Sequence, residues 1–213
     1  YGNGEGDDYP IYYVSWFDAV AFANELSTDQ GLISCYDLSD ATCEDGTYVG
    51  TSYMACLNST QKGIQSAVVY LNGAASPYEC GGYRLPTEAE WEFAARAGTT
   101  TAFPNGGNLS TGDESNCLDD IMLDNGTYLD DIAWFCGNSS HSESVGALAP
   151  NPWGLYDTSG NVKEWVWDWH DVYGGDDTDP TGPESTTSRV YRGGSWISLP
   201  YASRSAYRLR YDP

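Results

Sequence analysis

Six cysteines, at positions 35, 43, 56, 80, 117 and 136, have the widest chemical reach in this chain, because a thiolate can attack, be oxidised or hold a soft metal. Their spacing narrows the choice. No Cys-x-x-Cys pair occurs and only His141 and His170 could assist, so a zinc site is not expected and disulfides are. Cys35, Cys43, Cys56 and Cys80 fall in a Ser-, Thr-, Gly- and Asn-rich insertion, about residues 31–80, where a staple would replace a thin core. An oxidising, extracellular or cell- or virus-surface setting is therefore expected. Spacing leaves the pairing open, with Cys117–Cys136 the favoured local pair.

The second chemistry on offer is recognition. From Arg192-Gly193-Gly194-Ser195-Trp196 to Tyr211, Arg, Gly, Ser and Ala recur at positions suited to backbone and ion-pair roles, while Ile, Leu, Ser and Tyr fill the gaps with neither hydrophobic period. That mixture suits a binding face better than a core strand. The balance of 31 acidic to 9 basic side chains, a formal charge of −22, argues against nucleic acid and anionic membranes as partners. No run of 18 apolar residues could span a bilayer, and the first residues show no basic start followed by an apolar stretch.

Two helices must position these residues. Ser15 can cap the first, with Asp18 in its positive first turn and Trp16, Val20, Ala23 and Leu26 on one face, ending near Ser27. Thr87-Glu88-Ala89-Glu90 opens the second as a capping box after Pro86; Trp91, Phe93, Ala94 and Ala95 are expected toward a core before a stop at Gly98. Beyond it, glycine, asparagine and short apolar runs predict short strands joined by ordered loops. Tryptophans 134, 153, 165, 167, 169 and 196 are read chiefly as packing for glycine-rich backbone. At 213 residues without a low-complexity linker, one domain spanning 1–213 is expected.

Tyr83-Arg84-Leu85-Pro86-Thr87-Glu88-Ala89-Glu90-Trp91-Glu92, Asn151-Pro152-Trp153-Gly154-Leu155-Tyr156-Asp157, Gly160-Asn161-Val162-Lys163-Glu164-Trp165 and Arg192-Gly193-Gly194-Ser195-Trp196 together closely resemble the formylglycine-generating enzyme (sulfatase-modifying factor) family. The resemblance runs from about Tyr9 to the last residue. It implies an α+β chain with that family's variant of the C-type lectin fold: two main helices, short twisted antiparallel strands and much ordered loop. The family's enzymes oxidise a substrate cysteine at copper held by two thiolates in the segment after the Arg192–Trp196 motif, and here that segment has no cysteine. Serines cannot replace thiolates for soft Cu(I), so no copper and no enzymatic activity are expected. An oxidase of that type, or a catalytically silent relative, is the alternative.

The C-terminal stretch, about 190–213, also resembles the variable region of proteins diversified by retroelements. Position by position, Tyr191, Ile197, Ser198, Leu199, Tyr201, Ser203, Tyr207, Leu209 and Tyr211 fall on the variable places. Four tyrosines and two serines among them suit a paratope, and Arg204, Arg208 and Arg210 are expected to hold the backbone against scaffold carboxylates or carbonyls. The implied function is a ligand-binding display protein whose partner is a protein or glycan on a cell or virus surface. The family resemblance further implies a structural calcium held by Asp157, Gly160, Val162 and Glu164.

Overall fold

The computed structural model of the chain describes residues 6–59, 63–110, 112, 115–175 and 178–213, without the side chains of residues 58 and 59. In chain order its elements are α1 (Trp16–Asp29), β1 (Tyr36–Cys43), β2 (Tyr48–Gly50), α2 (Met54–Ser59), β3 (Ile64–Leu71), α3 (Glu88–Arg96), β4 (Glu164–Trp169), β5 (Arg189–Arg192) and β6 (Leu209–Tyr211). The strands form two three-stranded sheets, β2-β1-β3 and β4-β5-β6. Contacts gather the described residues into two compact units. One takes residues 6–12, 88–166 and 190–210; the other takes 13–87, 167–189 and 211–213.

In the second unit, α1 begins as expected. The Ser15 hydroxyl accepts from Asp18 N–H, and Asp18 accepts from Ser15 N–H, closing a capping box that satisfies two otherwise orphaned donors. The same two residues reach β3: the Ser15 hydroxyl donates to the Ile64 carbonyl at 2.9 Å, and Asp18 Oδ1 accepts from Ile64 N–H at 2.7 Å. One cap thus fixes a helix and a strand. The helix runs two residues past Ser27, its expected end, and its buried stripe includes Asn24, whose amide exchanges bonds with both backbone groups of Tyr36.

The inserted sheet is antiparallel, with Tyr36 opposite Leu71 and Leu38 opposite Val69, and an irregularity between Ser39 and Thr42. Disulfides Cys35–Cys80 and Cys43–Cys56 close this region, whose core is small. Further along, the Arg189 guanidinium lies 3.8 Å from the Trp16 ring centroid and 3.7 Å from that of Trp169, while Trp167 stacks on Tyr36. These tryptophans pack the interior.

In the first unit, Phe103, Ile121, Leu123, Leu129, Ile132, Ala133 and Phe135 form one buried cluster, and Trp91, Ala95, Val166 and Val190 form another. The Cys117–Cys136 disulfide closes beside the larger cluster, as the local spacing suggested. Phe93 corrects an expectation, being 68% exposed with its ring edge-on to the exposed Trp153. The buried stripe of α3 is Glu88, Trp91 and Ala95. Five positions from Glu88 turn the helix by about 140° away from that stripe, so a helix that buries Glu88 exposes Phe93.

Replacing Asp18 with alanine removes two acceptor roles at once and leaves Ile64 N–H without its buried partner. Equilibrium urea unfolding should show a loss of about 2–3 kcal/mol, against less than about 0.5 kcal/mol for Phe93→Ser on the exposed face.

Candidate functional site

The C-terminal segment enters the first unit through β5 and turns at Gly193 and Gly194, both at positive φ. At Gly194 a side chain is excluded twice over: a Cβ would lie 2.8 Å from the Ala202 carbonyl oxygen, and φ is +77°. Ser198 N–H then bonds to the Ser195 carbonyl, Ser195 N–H bonds to the Ser198 hydroxyl, and Trp196 N–H bonds to the Asn161 carbonyl. A single 3-10 turn over Pro200–Ser203 follows.

Beneath this backbone lies an ionic network. Arg192, 1% exposed, donates through Nη1 to Glu88 at 2.9 Å and through Nη2 to Glu92 at 2.5 Å and the Ser205 carbonyl at 2.6 Å. Arg208 donates through Nε to the same Glu88 at 2.8 Å and again through Nη2. Arg204 Nε bonds to the Tyr201 carbonyl, and Arg210 is exposed. Two of the three expected anchoring arginines therefore hold a carboxylate or carbonyl. Main-chain bonds from Cys136 N–H to the Ser198 carbonyl and from Ser205 N–H to the Ala102 carbonyl tie the segment to the large apolar cluster.

On this frame the nine places expected to vary divide. Ile197 is 67% exposed, and Tyr191, Leu199, Tyr201, Tyr207 and Leu209 are half-buried. Tyr201 and Tyr207 meet edge to face at 5.2 Å, and Trp165 meets Tyr191 similarly at 5.5 Å. Burial pushes the Tyr207 phenol up, helped by its hydrogen bond with Tyr201 and the nearness of Tyr191, and opposed by Arg204. Tyr191, Tyr201 and Tyr207 are thereby brought into one cluster.

Ser203 is a correction: it is fully buried, under the Gly194 turn where only a small side chain fits, and so cannot face a ligand. The half-buried Ser198 spends its hydroxyl on the Ser195 loop. Tyr211 is 66% exposed and falls among residues of the other unit. Lys163, missed by sequence reasoning, lies 5.0 Å over the Tyr191 ring. Only its place two residues before Trp165, in an otherwise acidic chain, could have flagged it.

The loop expected to hold calcium turns sharply, with Asp157, Gly160 and Asn161 all at positive φ. Asp157 Oδ2 accepts from Gly146 N–H, and Glu164 Oε2 accepts from the Trp91 indole N–H at 2.7 Å. Burial pushes the Glu164 carboxyl up to about 7, the Trp91 bond opposes this, and the charge of Asp157 adds to it. The charge of Asp157 thus acts on a desolvated Glu164 carboxyl. Among the described residues, no three His, Cys, Asp or Glu side chains cluster as a metal site.

Few helices, short strands and a long, ordered C-terminal loop region carried on a buried ion network define an α+β protein of the C-type lectin fold. The profile of the sulfatase-modifying factor enzyme 1-like domain matches residues 2–213, and the chain belongs to that family. The solved Treponema denticola variable protein 1 shares the fold, with TM-score 0.70 and 32% identity over 97% of this chain and 66% of that one. Chaperone protein LppX of Paenibacillus barcinonensis is 26% identical over 98% of this chain, and the formylglycine-generating enzyme of Thermomonospora curvata is 39% identical over 59%. The chain spans 66% of the length of the former and 42% of the latter.

Glu88→Gln leaves two arginines facing one neutral amide. Removing one member of a buried ionic set costs about 3–5 kcal/mol, and chemical denaturation should show a loss of that size, well above that of Arg210→Gln.

Proposed function

We propose that the chain is a non-enzymatic ligand-binding display protein, exposed outside the cell or on a cell or virus surface. Its C-terminal face, diversified by a retroelement, binds a protein or glycan ligand. One observation carries the reading: side chains at most of the places expected to vary are exposed or half-exposed on a backbone held chiefly by buried Arg192, half-buried Arg208 and the Gly193–Gly194 turn. Likeness to a solved protein whose name calls it variable supports the same reading. Three disulfides suit an oxidising setting, and no helix among the described residues is long and apolar enough to cross a membrane.

The competing reading is an oxidase of the formylglycine-generating type, favoured by 39% identity to one such enzyme over part of the chain. All six cysteines are closed in disulfides, so a thiolate pair for copper would require opening one. The binding reading gives the tyrosine cluster a role; the oxidase reading gives it none.

Three measurements test the choice. Ile197→Asn, Tyr207→Asn and Leu209→Asn should each change unfolding free energy by less than about 1 kcal/mol, whereas Ser203→Tyr should cost about 1–3 kcal/mol through overpacking. Large losses at the first three would return them to the core. Incubation with Cu(I) and a cysteine-containing sulfatase peptide should yield no formylglycine; product would establish the oxidase. Beside the gene, a near-copy of the 3′ segment differing at adenines, together with a reverse transcriptase, is expected.

We also propose that Asp157 and Glu164, with the carbonyls of Gly160 and Val162, hold a structural calcium. The desolvated Glu164 next to Asp157 supports this. Millimolar Ca²⁺ should raise the melting temperature, EDTA should reverse the gain, and Glu164→Gln should remove the response.

A further inference from the structure

In a chain with 9 basic and 31 acidic side chains, the placing of the cations is informative. Within the unit that carries the tyrosine cluster, Arg96 closes on Glu92, Arg192 on Glu88 and Glu92, and Arg208 on Glu88. Lys163, Arg204 and Arg210 differ. Among the described residues none of the three has a carboxylate within ion-pair distance, and Lys163 and Arg204 adjoin the tyrosines. Lys163 is exposed and lies over the Tyr191 ring, and the charge of Arg204 acts on Tyr207. Tyr207 in turn meets Tyr201 edge to face, and the nearness of Tyr191 helps to push its phenol up. Two uncompensated cations thus border one aromatic cluster, in a molecule whose other charges are overwhelmingly negative.

We propose that Lys163 and Arg204 are part of the binding face and that its ligand is an acidic segment of a protein, with Asp or Glu carboxylates paired to these cations and tyrosine rings covering the flanking apolar surface. This rests on the display reading above. A carboxylate fits because charge-assisted bonds to cations without a carboxylate partner are the strong polar contacts available here. The bulk charge of −22 does not prevent contact, since exposed charges beyond about 8 Å are largely screened at physiological salt. A protein fits better than a sugar because the rings meet edge to face, at 76° and 87°, and the Tyr191 face is covered by Lys163. Among the described residues of this cluster no two rings lie coplanar as a platform for a pyranose. Rigid tyrosines with adaptable neighbours are the composition by which protein surfaces are bound.

The test is selection from a phage-displayed library of random peptides against the immobilised domain, in parallel with a glycan array that includes sulfated and sialylated sugars. The expected result is peptides rich in Asp and Glu beside apolar residues, whose affinity falls about tenfold or more with Lys163→Gln or Arg204→Gln. Lys163→Gln should melt with the parent, Arg204→Gln should melt slightly lower because it gives up the bond to the Tyr201 carbonyl, and Lys163→Arg should retain binding. Recovery of basic peptides, which bulk charge alone would select, overturns the proposal. So does binding of a sulfated or sialylated glycan without acidic peptides. If selected peptides are neutral but lose binding with Tyr207→Ala, only the charge inference fails; if no selection depends on the tyrosines, the display reading fails as well.

Discussion

Glu88, joined to Arg192 and Arg208, is the constraint on which the rest of the C-terminal architecture depends. It is 4% exposed, at the first position of α3, where the positive end of the helix dipole adds to the two guanidinium groups. A carboxylate so deeply desolvated is tolerable only with partners of this kind, and once they are engaged the cost of separating them is large. Arg192 sits at the end of β5 and Arg208 just before β6, so one carboxylate fixes both ends of the intervening loop. The direct bond from Arg192 to the Ser205 carbonyl adds a third fixed point within that loop.

Such an arrangement separates two demands that conflict in ordinary packing. A core strand draws stability from its own side chains, so changing them costs cavity or overpacking energy. Here the backbone is held by arginines, main-chain bonds and a glycine turn, and the side chains at Ile197, Leu199, Tyr207 and Leu209 contribute area without defining the path. Ser203 shows the limit of this separation. Its neighbour across the turn is Gly194, and the space there is set by the backbone itself, so a place that looks variable by position is structural by environment.

The parts legible in sequence were those with short-range causes. Ser15 and Asp18 announce a helix start because the cap is a local exchange of hydrogen bonds, and Cys117–Cys136 is local for the same reason. Motif order revealed the family and with it the fold. What stayed hidden were choices settled by distant partners. Nothing near Glu88 shows that arginines more than 100 residues away will draw it inward, and that long-range event turns Phe93 outward against its hydrophobicity. Likewise Lys163 gains meaning only when β5 brings Tyr191 under it. Cys35–Cys80 and Cys43–Cys56 join the two ends of β1 to residues outside the sheet, so their pairing depended on tertiary folding that composition does not encode.

The half-burial of Tyr191, Tyr201 and Tyr207 bears on how such a face would work. A fully exposed tyrosine must lose its rotamer freedom when a ligand arrives, at about 0.5–1.5 kcal/mol for each side chain immobilised. Rings already packed edge to face, with Arg204 tied to the Tyr201 carbonyl and Trp165 and Lys163 bracketing Tyr191, have lost part of that freedom on folding. The scaffold thereby shifts an entropic cost from binding to folding, where the buried ionic network and disulfides can absorb it. Exposed Ile197 has no such support, and its contribution to affinity would rest on apolar area alone. On the proposed display reading, the same face would combine preordered anchors with replaceable contacts, so that its outer positions could change while a common mode of engagement persists.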